Sequence, residues 1–155
     1  MKDTETGYEK VLNGYLGIGH RPKLKSLKAF REQGVTHIWT LLSEKEGSLN
    51  IKKASIASGL DWEWLSLANG KPPEESLLPE IINSFERCKR HLENGAKIYL
   101  HCSAGIHRTG MISYAFLRFI GKNNKESLDT LTKMRSITSE GVGIDRLEWG
   151  DLNFG

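Results

Sequence analysis

Ten consecutive residues, His101-Cys102-Ser103-Ala104-Gly105-Ile106-His107-Arg108-Thr109-Gly110, bring a thiol, a guanidinium, two hydroxyls and two imidazoles into one short span. An apolar run, KIYLH, leads into Cys102, and a second apolar run follows Gly110. The pattern therefore predicts a strand that ends at Cys102 and a helix that begins near Arg108. Between them the backbone amides of Ser103 to Arg108 can curl into a nest that points N–H groups at an anion. The helix N-terminus adds partial positive charge at the same place. Gly105 supplies the backbone freedom for the curl, and Arg108 supplies a planar, permanently charged fork that matches two phosphate oxygens. Such a field favours the thiolate of a cysteine. Cys102 would lie beneath a bound phosphate, placed for in-line attack and a phosphocysteine intermediate. Thr109 would donate its hydroxyl to the sulfur as Cys102 leaves. The competing reading of a lone cysteine, a small buried hydrophobe, accounts for none of its neighbours.

His-Cys-x5-Arg-Thr-Gly resembles the signature of the protein-tyrosine phosphatase superfamily, and HCSAGIHRTG is close to the form of its tyrosine-specific branch. The shortness of the chain is closer to the compact dual-specificity branch. The resemblance implies a cysteine-phosphatase-like α/β fold and hydrolysis of phosphomonoesters without metal or other cofactor. Cys102 would be the nucleophile, and Arg108 would bind phosphate and stabilise the transition state. Ser103, Ala104, Gly105, Ile106, His107 and Arg108 would line the substrate phosphate, and Thr109 would assist breakdown of the intermediate. His101 would hydrogen-bond near the cysteine.

The same resemblance implies a general acid on a loop some thirty residues before the cysteine, where relatives carry Asp-Gly followed by Pro. The matching stretch is Leu67-Ala68-Asn69-Gly70-Lys71-Pro72-Pro73. Asn69 stands at the acid position, and an amide cannot protonate a leaving oxygen. Glu74 or Glu75 could substitute, although each reads more readily as a solvated loop carboxylate or as a charge near the N-terminus of the following helix. Asp61, at the start of a strand, is a poorer candidate. The favoured substrate is phosphotyrosine in proteins, with phosphoserine or phosphothreonine as extensions. One alternative is an inositol phosphate or phosphoinositide, because His107-Arg108 with Asn69-Gly70-Lys71 partly resembles a plant and fungal atypical branch acting on inositol pyrophosphates and phosphoproteins. The neutral Ser103 and Ala104 depart from that branch. Another alternative is a catalytically weak phosphate-binding module.

The elements that must position these residues alternate between strand and helix. Tyr15-Leu16-Gly17-Ile18 reads as an edge strand, and Lys23 to Gln33 as a helix stopped by Gly34. Val35 to Leu42 reads as a buried strand, Ile51 to Ser58 as a short helix, and Leu60 to Leu67 as a strand. Ala68 to Glu75 is a loop. Ser76 to Glu93 is a long helix placing Leu78, Ile81, Ile82, Phe85, Cys88 and Leu92 on one side, ended by Asn94-Gly95. After the motif come helices at Met111 to Ile120 and Lys125 to Arg135, and one or two turns at Ile144 to Asp151. This order predicts one domain over residues 1–155, α/β, with a central mainly parallel sheet flanked by helices. Ligands then bind beyond the carboxyl ends of the strands.

The remaining features narrow the function class. Net charge is +3 from 22 basic and 19 acidic residues, which gives no reason to expect nucleic acid as partner. No apolar run approaches the length that spans a bilayer, and the polar start lacks a secretory core, so a cytoplasmic phosphatase acting on a phosphorylated protein or small phosphorylated substrate is expected. Cys88 and Cys102 form no zinc pattern and a poor disulfide framework. His20, His37 and His91 show no ligand spacing. Gly17-Ile18-Gly19 is too short for a dinucleotide fingerprint. Trp62 and Trp64 share a strand face, suited to core packing or a substrate-side wall. Arg135, Glu140 and Arg146 fall where this superfamily often closes its site, without an assignable role.

Overall fold

The computed structural model describes residues 7–155, and its strands form where the apolar runs lie. Tyr15 to Ile18 is the middle of β2 (Gly14–Gly19), which follows a short hairpin partner, β1 (Glu9–Val11). The run around Trp39 forms β3 (His37–Thr40), the tryptophan-rich segment forms β4 (Asp61–Trp64), and KIYLH forms β5 (Lys97–His101). The sheet order is β1-β2-β5-β3-β4, with β1 antiparallel to β2 and every other pairing parallel.

Each parallel step is a helical crossover. Helices α1 (Leu27–Glu32), α2 (Ser48–Ala57) and α3 (Leu78–Glu93) join the strands, and α4 (His107–Phe119), α5 (Asn124–Met134), α6 (Ser136–Gly141) and α7 (Ile144–Phe154) follow β5. The carboxyl ends of β2, β5, β3 and β4 therefore emerge along one edge. Four loops leave that edge, and they begin at His20, Cys102, Leu41 and Leu65.

Several expectations need correction. β2 is interior, not an edge, because Glu9–Val11 pairs with it. The strand expected over Leu60 to Leu67 is confined to Asp61–Trp64, because the chain then turns out to form the loop before α3. The last segment is a full helix to Phe154. Gly150 sits inside α7, where a side chain would press on Tyr114 and Ala115 of α4. The short α6, whose sequence SITSEG has no helical period, was not foreseen. Ile82 is 37% exposed and does not share the buried side of α3.

The two sheet faces are covered differently. Trp39 meets Phe85 of α3 and Phe116 of α4 edge to face, at centroid distances of 6.1 and 5.5 Å. Phe85 also packs on Phe119 and on Phe154 of α7. On the opposite face Phe30 of α1 stands on Tyr99, and Lys52 of α2 lies over Trp62. Phe85 is wholly buried at the meeting point of three helices and the sheet. Phe85→Ala is expected to lower unfolding free energy by about 3–5 kcal/mol, read from the shift in a urea unfolding midpoint.

Candidate phosphate-binding site

The loop from Cys102 to Ile106 joins β5 to α4, and all five of its carbonyls accept hydrogen bonds from groups outside its concave side. Cys102 O accepts from His101 Nδ1 at 2.9 Å, and Ser103 O from the amide of Arg21 at 2.8 Å. Arg135 Nη1 donates to Ala104 O at 3.2 Å and to Gly105 O at 2.8 Å. Thr138 Oγ1 donates to Gly105 O at 2.6 Å, and the amide of Gly110 to Ile106 O at 2.8 Å. A peptide plane points its N–H opposite to its C=O. The amides of Ser103, Ala104, Gly105 and Ile106 are thereby turned the other way, and none donates to a protein group among the described residues. The result is an anion nest at a helix N-terminus.

Gly105 is required by its surroundings as well as by its own backbone. Its φ is +74°, and a Cβ there would run into the carbonyl of Gly19 and the amide of His20. The loop is thus pressed against the end of β2.

Cys102 is 3% exposed, and Thr109 Oγ1 donates to its sulfur at 3.0 Å. Arg108 is fixed by a carboxylate that lies 62 residues away in sequence. Its Nη1 and Nη2 donate to Glu46 Oε1 and Oε2 at 2.8 and 2.9 Å, and Nη1 also donates to Leu67 O at 2.8 Å. Glu46 is itself held by a capping box. The amide and hydroxyl of Ser43 both donate to Oε1 at 3.0 Å. The hydrogen bond from Arg108 is the largest cause that lowers the Glu46 carboxyl to about 2, and Glu46 in turn raises Arg108. The Ser43-x-x-Glu46 capping signature is present in the sequence, but its link to Arg108 is a long-range contact that no local pattern reports.

His101 is fully buried. Burial, followed by the positive charges of Arg21, His20 and Arg108, lowers it to about 4 against the hydrogen bond to Cys102 O. It is therefore neutral near pH 7.

The loop at Asn69 is tethered from both ends. Asn69 Oδ1 accepts from the amide of Lys71 at 2.9 Å, and Arg146 Nε donates to Gly70 O. Arg146 Nη1 also donates to Val142 O at 2.8 Å, which ties this loop to the segment between α6 and α7. Glu74 is exposed and lines a recess of about 290 Å³ with Asn69, Lys71 and Pro72. A second recess, lined by Ser43, Glu44, Lys45, Glu46 and Ala68, adjoins it at Ala68. Glu75 opens the turn before α3, and Asp61 lies at the opposite end of β4, beside His37. Glu140 makes no contact that relates it to the loop. Arg135 and Arg146, which the sequence leaves without roles, thus anchor the nest and the Asn69 loop respectively.

Other singled-out residues lie elsewhere. His107 is exposed at the first turn of α4. The rings of His37 and His91 lie 4.2 Å apart, tilted by 33°, and Glu63 accepts from His91 at 2.8 Å and from Arg87 at 3.0 Å between α3 and β4. Trp62 and Trp64 stack at 5.5 Å. Cys88 is buried in α3, and burial pushes its thiol up. No described helix is long and apolar enough to cross a membrane.

Residues 17–122 match the family described as Tc-R-P, polymorphic toxin system, DSP-PTPase phosphatase. No curated protein sequence matches the chain. Its fold is similar to that of several solved phosphatases. The kinase associated phosphatase KAP, crystallised with a serine in place of its catalytic-site cysteine, aligns with a TM-score of 0.77 at 17% identity, covering 95% of this chain and 92% of KAP. PTPMT1 in complex with PI(5)P gives 0.75 at 18% identity, over 94% and 93%. Tk-PTP in its active form gives 0.73 at 16%, over 94% and 95%.

Three shifted groups set the response to acid: His101, Glu46 and His37, whose ring is lowered first by burial and then by His91, so that its contribution too is complete above 6.5 and is lost as pH falls. His101 prefers its neutral form when folded, so its contribution is complete above 6.5 and is lost as pH falls towards 4. The depressed Glu46 contributes fully above 4.5, and that contribution is lost as pH falls to about 2. Urea midpoints measured from pH 7 to pH 3 should fall throughout, and Glu46→Gln should flatten the portion below 4.5. The same variant should lower kcat/KM on an aryl phosphate by about tenfold or more, since it removes a charge-assisted partner of Arg108.

Proposed function

We propose that this chain, which belongs to the DSP-PTPase phosphatase family described for polymorphic toxin systems, is a phosphatase that works through Cys102 and favours phosphotyrosine in proteins. The observation that carries this reading is the nest itself. Its five carbonyls are turned outward onto other partners, with Cys102 at its start, Thr109 on the sulfur and Arg108 fixed beside it.

In this mechanism the substrate phosphate takes hydrogen bonds from the amides of Ser103 to Arg108 and from the edge of Arg108 that Glu46 does not occupy. The Cys102 sulfur attacks phosphorus, the P–O bond to the leaving group breaks, and a phosphocysteine forms. Water then cleaves the P–S bond and releases inorganic phosphate, with the Thr109 hydroxyl supporting charge on the departing sulfur. The fixed guanidinium and amides stabilise charge on the equatorial oxygens without reorganising.

The substrate preference follows from Asn69. Without a carboxyl at that place, expulsion depends on the leaving group. The phenol of tyrosine, with a pKa of about 10, leaves far more readily than the alkoxide of serine or threonine. The two recesses that share Ala68 each mix charges, Lys71 with Glu74 in one and Lys45 with Glu44 and Glu46 in the other, which suits a phosphopeptide better than a polyphosphorylated inositol. Glu74 lines the same recess as Asn69 and is the nearer substitute acid of the two glutamates proposed from sequence.

Turnover of p-nitrophenyl phosphate in the presence of a chelator is expected for the parent chain and should disappear in Cys102→Ser. Retained activity in that variant would remove Cys102 from the mechanism. A panel of phosphotyrosyl peptides, phosphoseryl peptides and inositol phosphates should be hydrolysed in that order of rate. Asn69→Asp should raise rates on the alkyl phosphates by about tenfold or more with little change on p-nitrophenyl phosphate. Equal effects on both would mean that the loop delivers no proton.

A further inference from the structure

The polar groups behind the nest form a chain whose every hydrogen position is determined. Cys102 O can only accept, so His101 Nδ1 carries the proton in the 2.9 Å bond between them. The buried neutral imidazole has one N–H, which leaves Nε2 bare. Thr40 Oγ1 stands 2.8 Å from Nε2 and must therefore donate its hydroxyl hydrogen to it. That hydroxyl is left as an acceptor, and the indole Nε1–H of Trp62, which can only donate, reaches it at 2.9 Å. The run starts at an obligate donor and ends at an obligate acceptor, so all three bonds point towards Cys102 O.

Strand register builds this chain. Thr40 at the end of β3 pairs with His101 at the end of β5, and Trp62 lies on β4 opposite Ile38, two residues before Thr40. Residues two apart share a sheet face, so Trp62, Thr40 and His101 project on the same side. Thr40 and His101 are both fully buried, which makes each unmade bond costly.

We propose that Thr40 and Trp62 are positioning residues that hold His101 in its Nδ1–H tautomer, and that this tautomer keeps the Cys102 carbonyl turned away from the phosphate nest. The opposite tautomer would set the bare Nδ1 against the carbonyl oxygen, two acceptors face to face. The peptide would then be free to rotate, and rotation would swing the Ser103 amide out of the nest. The consequence for turnover rests on the proposed Cys102 mechanism, whereas the tautomer assignment does not.

The test combines a spectroscopic and a kinetic reading. Long-range proton–nitrogen NMR spectra of the 15N-labelled chain at pH 7 should show His101 with its proton on Nδ1. Thr40→Val, of nearly the same shape, should give a tautomer mixture and lower kcat on p-nitrophenyl phosphate by about fivefold, with KM little altered. Thr40→Ser should restore both. Trp62→Phe, which leaves the threonine hydroxyl in place, should give a smaller change of the same kind. A parent protein with the proton on Nε2 overturns the proposal, as does a folded Thr40→Val with parental tautomer and parental kcat. If Thr40→Val does not fold, the parent spectrum and the Trp62→Phe pair of readings decide in its place. If Cys102→Ser turns over normally, the nucleophile assignment fails, and the tautomer, measured without turnover, stands or falls by its own spectrum.

Discussion

A single guanidinium joins three of the four loops that leave the carboxyl edge of the sheet. Arg108 is the second residue of α4, and its side chain reaches Glu46 in the loop after β3 and the carbonyl of Leu67 in the loop after β4. Removing either partner would leave a largely buried cation short of acceptors, which is costly. Ser43 holds Glu46 by bonds that do not involve Arg108, so one side of the fork is committed and its orientation is set. In the proposed mechanism a phosphate would meet a donor that needs no rearrangement, and the energy of binding would not be consumed in ordering a long side chain. The same link explains why the loop bearing Asn69 lies beside the nest at all.

The nest works by an equivalent separation of sides. Carbonyls and amides alternate along any backbone, and a loop left to itself would present both to a ligand. Here every carbonyl from Cys102 to Ile106 has a donor on the outer side. What faces inward has one sign. Burial keeps His101 neutral beneath it, so the residue contributes direction instead of charge.

The local structure of the motif is legible because ten residues specify the end of a strand, a turn and the start of a helix together. The mainly parallel sheet was legible from alternation of apolar runs with helical periods. What escaped depends on distance. Tyr15 to Ile18 read as an edge because its cover, Glu9–Val11, is a three-residue strand with no alternation to detect. The full length of α7 escaped because the sequence shows a glycine at 150 and not the α4 surface that requires its side chain to be missing. Glu46 was passed over as one acidic residue among 19, and Thr40 as one strand residue among several. Arg135 and Arg146 were noticed by position, yet their function lies in the carbonyls they reach across the fold.

The partners of the outward carbonyls are drawn from both ends of the chain. The amide of Arg21 takes Ser103 O, while Arg135 and Thr138 take Ala104 O and Gly105 O. The family correspondence stops at residue 122, before α5 and α6 begin. A fragment cut at that boundary would keep the whole signature and lose every side-chain tie on two of its five outward carbonyls. The stretch that identifies the family is thus a unit of descent without being an autonomous unit of chemistry, and the less recognisable C-terminal helices are the mould in which the loop is cast.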